Sequence, residues 1–149
     1  MRRTAIIAVL SFALLTLAAV GSHSGASANA SFVVIVHPEV KGDELPKVIL
    51  SAIFLRKAPR WEDGLDVRPV DQSMSSPLRA DFTAAVLEMP VNGLQRYWSD
   101  EIEKGVQPPP VKGSDEEVIA YVASTPGAIG YVSAGVALPE GVKAMDLVE

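Results

Sequence analysis

Three serines and an arginine lie close together near the middle of the 149-residue chain. Ser73, Ser75 and Ser76 precede Pro77, and Arg79 follows two residues after the proline. A serine followed by a proline is typical of a helix start, because serine favours the N-cap position and proline the first helical position. Free backbone N–H groups and the positive end of the helix dipole meet there, so these hydroxyl groups can bind an oxyanion.

Arg79 lies one turn into the predicted helix, where its guanidinium can add charge-assisted hydrogen bonds to the same anion. The spacing alone also fits a simpler interpretation, in which Ser76 only caps the helix and Arg79 is solvated. We therefore rank Ser76 and Arg79 as the first candidate ligand-binding residues, followed by Ser75 and Ser73.

The residues that catalysis or metal binding needs are scarce. After residue 30 the sequence contains a single histidine, His37, and it has no cysteine anywhere. His37 ends an apolar run just before a proline, which favours a structural role over that of a base beside a nucleophile. The acidic residues Asp115, Glu116 and Glu117 suit the first turn of a helix without any ligand. We expect a protein that is not an enzyme, with no catalytic residue, no metal and no cofactor.

Aromatic residues offer one more candidate surface. Trp61, Trp98 and Tyr131 can line a ligand platform, although packing in the core or at its rim is the more common use of such residues. The sequence favours packing.

The first thirty residues have the pattern of a secretory signal peptide. Arg2 and Arg3 are followed by an apolar run over 4–20 and then by the cleavage motifs at 26–28 and 28–30. We predict that 1–30 is removed by ordinary Sec-type export, and that 31–149 is a single periplasmic or secreted domain. No cysteine follows the apolar run, so a lipoprotein is not expected, and the mature chain has no second run long enough to span a membrane.

The overall charge argues against polyanionic partners. The net charge of the chain is −5, and it becomes −7 when Arg2 and Arg3 are left out. A negative domain of this size is repelled by nucleic acid and by anionic membrane surfaces. Any bound anion must therefore be held by local donors.

The periodicity of the mature chain predicts an α/β domain with a mixed β-sheet flanked by helices on both faces. Asp43 is expected to cap the first helix, with Pro46 inside its first turn, and Ser114 to Glu117 forms a capping box. Gly130 inside a strand indicates a close backbone approach. The predicted elements are strands at 31–37, 66–70, 128–132 and 142–148 and helices starting at 43, 76, 92 and 114.

Each predicted helix has an apolar stripe that should face the sheet. The stripes are Leu45, Val48, Ile49, Ala52 and Ile53 in the first helix, Leu78, Phe82, Ala85, Val86 and Met89 in the second, Leu94, Trp98 and Ile102 in the third, and Val118, Ile119 and Val122 in the fourth.

Five segments occur in one order: FVVIVHP, IF followed by W-x-D-G, SPLRxxF, YW and PGAIGYV. Together they resemble one lobe of the phosphate-specific substrate-binding proteins of bacterial ABC importers, within the type 2 periplasmic binding protein superfamily. The resemblance runs from Phe32 to Val132. It implies a single lobe of that fold, with inorganic phosphate or a similar oxyanion as ligand and a link to ABC-type phosphate uptake or sensing.

In that family a Ser-Gly-Thr turn at a helix start, often followed by arginine, binds the phosphate. The resemblance places Ser76 and Arg79 on this serine and arginine, while Pro77 and Leu78 replace the glycine and threonine. Arg68 and Asp71 lie near the positions of two further family residues, but their spacing differs.

Family members clamp the ligand between two lobes, and this sequence has residues for one. A protein partner or a second copy can supply the other. The alternative is an interaction or structural protein that keeps the lobe without a ligand.

Overall fold

The structure, a computed structural model, describes residues 31–149. The predicted signal peptide lies outside the described residues. Their elements, in chain order, are β1 Phe32–Val36, β2 Glu44–Pro46, α1 Lys47–Phe54, β3 Arg68–Pro69, β4 Asp71–Gln72, α2 Pro77–Val86, α3 Val91–Glu103, β5 Val111–Lys112, α4 Asp115–Ser124, β6 Ala128–Ser133 and β7 Lys143–Val148. The short strands β2, β4 and β5 were not predicted.

Strand β1 is the centre of a five-stranded sheet with the order β2-β7-β1-β6-β3. It runs antiparallel to both of its neighbours, β6 and β7, whereas β2 and β3 join the two edges in parallel pairings. Each edge strand ends in a proline, Pro46 or Pro69, which has no N–H to donate to a further strand. Strands β4 and β5 form a separate parallel pair.

Helices cover both faces of this sheet, as predicted. The face that carries Phe32, Val34 and Val36 packs against α1, α2 and α3, while Ile35, on the opposite face, packs against α4. Burial on both faces explains why β1 is an unbroken apolar run without alternating polar residues.

The start of α1 differs from the prediction. Asp43 is not its cap, because Glu44–Pro46 pairs with β7 and the helix begins at Lys47 with Pro46 in the N-cap position. The later start changes which side chains are buried. The buried residues of α1 are Leu50, Ile53 and Phe54, whereas Val48 and Ile49 of the predicted stripe are 72% and 44% exposed.

The stripes of the next two helices are partly right. In α2 the predicted Phe82 and Val86 are buried, but Arg79 and Thr83 complete the buried face and Ala85 is exposed. In α3 Leu94 and Trp98 are buried and Ile102 is exposed. The buried polar groups of α2 could not be recognised from an apolar pattern.

Helix α4 begins as the sequence predicts. The Ser114 hydroxyl accepts a hydrogen bond from the Glu117 N–H, and the Glu117 carboxylate accepts one from the Gly113 N–H. Farther along, Val118 packs so closely on β6 that a Cβ at Gly130 would lie 2.8 Å from its side chain. The expected close approach at Gly130 is confirmed.

The aromatic residues are packing residues. Tyr131 is completely buried and stacks on Phe82 with ring centroids 3.9 Å apart, and Trp98 is also buried. Trp61 is partly buried and donates its indole N–H to the Gly127 carbonyl. The three residues do not form an exposed platform.

Candidate functional site

Residues 73–76 form the turn that connects β4 to α2, hereafter the serine turn. The hydroxyls of Ser73 and Ser75 lie 3.0 Å apart, and the Ser76 N–H donates to the Ser73 carbonyl, which closes the turn. Ser75 is exposed, while Ser73 and Ser76 are partly buried. The structure therefore brings the three predicted serines together at the surface.

Ser76 stands at the N-cap position of α2 but does not cap the helix with its side chain. Its hydroxyl donates instead to Oε1 of Gln72 at 2.9 Å. Pro77 occupies the first helical position and has no N–H to satisfy, while the N–H groups of Arg79 and Ala80 bond to the Ser76 carbonyl. The first turn of α2 contains no acidic residue.

Arg79 lies beneath the turn. It is only 5% exposed, and its Nη2 lies 2.9 Å from Oδ2 of Asp71. Its Nη1 donates to the Gln72 carbonyl at 2.7 Å, whereas its Nε is buried without a hydrogen-bond partner. The guanidinium thus holds β4, and the serine turn that follows it, against the start of α2.

Asp71 is the counter-charge of this arginine and is itself buried. It accepts hydrogen bonds from the Tyr131 hydroxyl and from the Gln72 N–H, in addition to the ion pair. Burial raises the pKa of the Asp71 carboxyl, and the Arg79 guanidinium is the largest influence that opposes this rise. Burial first, and then the charge of Asp71, raise the pKa of the Tyr131 phenol far above its usual value.

Gln72 connects the serine turn to α4. Its side-chain amide donates to Oδ1 of Asp115 at 2.8 Å and to the Tyr131 carbonyl at 3.1 Å. The other carboxylate oxygen of Asp115 accepts from the Ser133 N–H. The side chains of Asp71, Gln72, Arg79, Asp115 and Tyr131 form one network beneath the turn, hereafter the polar brace.

Sequence reasoning missed most of this brace. The sequence places Asp71 only near a family position with different spacing, and the position of Asp115 in a first helical turn explains it without any partner. The four residues around Arg79 come from β4, α4 and β6, which are brought together by tertiary packing. The one signal in the sequence is that Asp71 follows directly after the strand predicted at 66–70. This position does not show which residue pairs with it.

Within residues 31–149 no group of three or more histidine, cysteine, aspartate or glutamate side chains has the arrangement of a metal site. His37 follows the last residue of β1 and accepts a hydrogen bond from the Glu39 N–H. Over the same range, no helix combines the length and apolar character needed to cross a membrane.

Comparison with solved structures supports the class of fold. The chain is similar to an ABC-type phosphate transport receptor from Vibrio cholerae, with 17% identity and a TM-score of 0.62. It is similar to PstS from Borrelia burgdorferi, with 19% identity and a TM-score of 0.64. A third similar structure, with bound phosphate, is that of a protein assigned as a phosphate ABC transporter substrate-binding protein from Clostridium perfringens, at 18% identity and a TM-score of 0.60.

In each comparison the likeness covers 78% of this chain but only 46%, 47% and 44% of the other chain, in the same order. The chain thus spans less than half the length of these proteins. No family model matches the sequence, and no curated protein matches it significantly. The shared fold is that of one part of the phosphate substrate-binding proteins, which confirms the predicted resemblance at the level of fold. The similar proteins are binding proteins rather than enzymes.

Proposed function

We propose that this protein is an exported, non-catalytic module that binds inorganic phosphate or a related oxyanion at the serine turn. The observation that carries the proposal is the start of α2. It has no side-chain cap and no acidic residue in its first turn, and the hydroxyls of Ser73, Ser75 and Ser76 surround it at the surface. The hydroxyls offer hydrogen-bond donors to a negative ligand, and the helix start adds a favourable dipole.

Arg79 has a different role in this proposal from the one expected from the sequence. Its charge is neutralised by Asp71, so it contributes little net attraction to an anion outside. By bonding the Gln72 carbonyl it fixes the turn, and the serines are the groups that contact the ligand. Hydroxyl groups can rotate, so Ser76 can turn from Gln72 toward an oxyanion.

We expect the affinity to be weak. A ligand on this turn has water on its other side, where each hydrogen bond contributes only about 0.5–1.5 kcal/mol net. Binding in the millimolar range follows, unless a protein partner or a second copy covers the turn. A role outside the cytoplasm in ABC-type phosphate uptake or sensing suits such a module.

Titration calorimetry of the purified protein with phosphate tests the proposal. Ser75→Ala and Ser76→Ala should each weaken binding roughly fivefold or more, because each removes a donor to a charged ligand. Ser99→Ala is the matched control, since Ser99 is exposed on α3 and bonds only the Gln95 carbonyl of its own helix. Heat equal to that of dilution at millimolar phosphate rejects the ligand and leaves the fold unaffected.

The second candidate is an interaction or structural protein without a ligand. The pairing of Arg79 with Asp71 favours it, because the arginine expected to bind the ligand is already paired inside the protein. Light scattering distinguishes the two candidates. Self-association that phosphate and Ser76→Ala leave unchanged supports the second.

A further inference from the structure

The hydrogen-bonded ladder between β1 and β7 stops before either strand ends. It pairs Val36 with Lys143, Ile35 with Ala144 and Val34 with Met145, and it goes no farther. Beyond this point β7 pairs with β2 on its other side, from Asp146 to Val148. The first two residues of β1 and the last three of β7 therefore separate, and the space between them is hereafter the β1–β7 groove.

The main-chain groups on both walls of the groove point into it. The Ala134 N–H bonds the Ser31 carbonyl and the His37 N–H bonds the Ala128 carbonyl, so the odd-numbered residues of β1 bond β6. The main-chain N–H and C=O groups of successive residues point to opposite sides of a strand. Those of Phe32 therefore point away from β6, toward β7.

The same alternation applies to β7. The Asp146 N–H bonds the Asp43 carbonyl beside β2, so the N–H and C=O of Leu147 point toward β1. If the ladder continued, Val33 would lie opposite Asp146 and Phe32 opposite Leu147, and the second of these would be the next hydrogen-bonded pair. Each wall therefore directs the main-chain groups of one residue, Phe32 or Leu147, into the groove, where an additional strand can pair.

The groove widens into a cavity of about 880 Å³. Its walls also include α2, and most of the side chains that line it are small or apolar, among them Val33, Ala84, Ala85, Ala144 and Val148. A volume of this size is within the range of ligand-binding pockets, about 300–1,000 Å³. The serine turn contributes none of the lining residues.

The charge at the rim is negative. Asp81, Asp146 and Glu149 are among the residues that line the groove, and within residues 31–149 Lys47 is the only lining residue with a positive side chain. Lys47 also lies 3.2 Å from Glu88, which offsets its charge. An occupant with positive side chains is complementary to this rim.

From these walls, volume and charges we infer that the β1–β7 groove binds an extended peptide with alternating basic and apolar residues. The peptide pairs as a strand with the main-chain groups of Phe32 and Leu147. Its apolar side chains contact α2, and its basic ones face Asp146, which lies between Met145 and Leu147 and points away from α2. This is strand addition, in which the main chain provides affinity and alternate side chains provide specificity. The inference does not depend on anion binding at the serine turn.

Fluorescence anisotropy of the purified protein with a labelled, end-capped seven-residue peptide of alternating lysine and valine tests this inference. We expect the lysine–valine peptide to bind saturably. A peptide of the same length with alternating glutamate and valine should bind at least tenfold more weakly. N-methylation of alternate amides of the lysine–valine peptide should weaken its binding by a similar factor, because the methyl groups replace N–H donors that pair with the groove. Ala85→Phe should weaken binding at least tenfold by filling the groove, and Asp146→Asn severalfold.

Two surface variants serve as matched controls. Ala80→Phe adds the same ring to an exposed position of α2 that does not line the groove, and Asp100→Asn removes an exposed carboxylate from α3. Both should leave peptide binding unchanged.

Several outcomes overturn the inference. They are an absence of saturable binding at millimolar peptide, equal affinity for the N-methylated peptide, and equal affinity of Ala85→Phe and Ala80→Phe. A dimer that Ala85→Phe dissociates also overturns it, because a second copy then occupies the groove.

Discussion

Helices α2 and α4 both have a serine at the N-cap position, and they use it in opposite ways. At α4 the Ser114 hydroxyl caps the helix, and three acidic residues fill the first turn. At α2 the Ser76 hydroxyl bonds Gln72, a proline follows it, and the first turn has no acid. The start of α4 is satisfied by its own side chains, whereas that of α2 is supported from below by the polar brace and stays open above. The same residue type therefore caps one helix with its side chain and leaves the other without a side-chain cap, and only the second suits the ligand site that we propose.

The largest effect is expected from breaking the support beneath α2. Asp71→Asn leaves the Arg79 guanidinium buried without a counter-charge, and it should lower the free energy of unfolding by about 3–5 kcal/mol. Urea denaturation measures this. Asp66→Asn is the control, because its pair with Arg60 is exposed and should contribute less than about 1 kcal/mol. Equal losses in the two variants would mean that the brace does not support α2.

Tyr131 links the same support to the sheet. Tyr131→Phe removes the hydroxyl that donates to Asp71 and should cost about 1–3 kcal/mol near neutral pH. The stabilisation should also depend on pH. Because folding raises the pKa of Tyr131 above its ordinary value of 10.0, its contribution is complete below about pH 10 and decreases at higher pH. The stability difference between the protein and this variant should therefore shrink above about pH 10 in denaturation series, and a constant difference would contradict the assignment.

Exchanging serine for alanine at each helix start tests the comparison directly. Ser114→Ala should lower the free energy of unfolding by about 1 kcal/mol, because a cap is lost, and leave phosphate binding unchanged. Ser76→Ala should weaken phosphate binding and cost no more than about 1 kcal/mol, since only the bond to Gln72 is lost. Denaturation and calorimetry on both variants give the result. Equal effects of Ser114→Ala and Ser76→Ala on phosphate binding would mean that the two helix starts do not differ as ligand sites.

The smallest change in stability is expected when α2 is made to resemble α4. Ala80→Glu places an acid near the exposed start of α2, where it should stabilise the helix by a few tenths of a kcal/mol. The same carboxylate should weaken phosphate binding severalfold through repulsion. Ala80→Gln has nearly the same shape without the charge and is the control. Unchanged affinity in Ala80→Glu would place the ligand elsewhere.

The sequence predicted the parts of the fold that depend on local pattern. The apolar run of β1, the capping box of α4 and the close approach at Gly130 all follow from neighbouring residues. The start of α1 was predicted wrongly because the pairing of Glu44–Pro46 with β7 involves residues about a hundred positions apart. Local propensity gives no information about such a pairing.

The candidate site was predicted only in its exposed part. The serine turn was recognisable because Ser76 and Pro77 are adjacent, and the structure does bring Ser73 and Ser75 to it. The burial of Arg79 could not be foreseen, because Asp71 becomes its partner only through the short strands β4 and β5, with two residues each. Whether the serines contact a ligand stays a prediction for calorimetry.

The two outer strands of the main sheet, β2 and β3, have three and two residues, and each terminates in proline. Short edge strands of this kind are poor templates for edge-to-edge pairing with another chain. At high concentration this protein should therefore resist polymerisation through the outer edges of its main sheet, although the described fold has no disulfide to stabilise it.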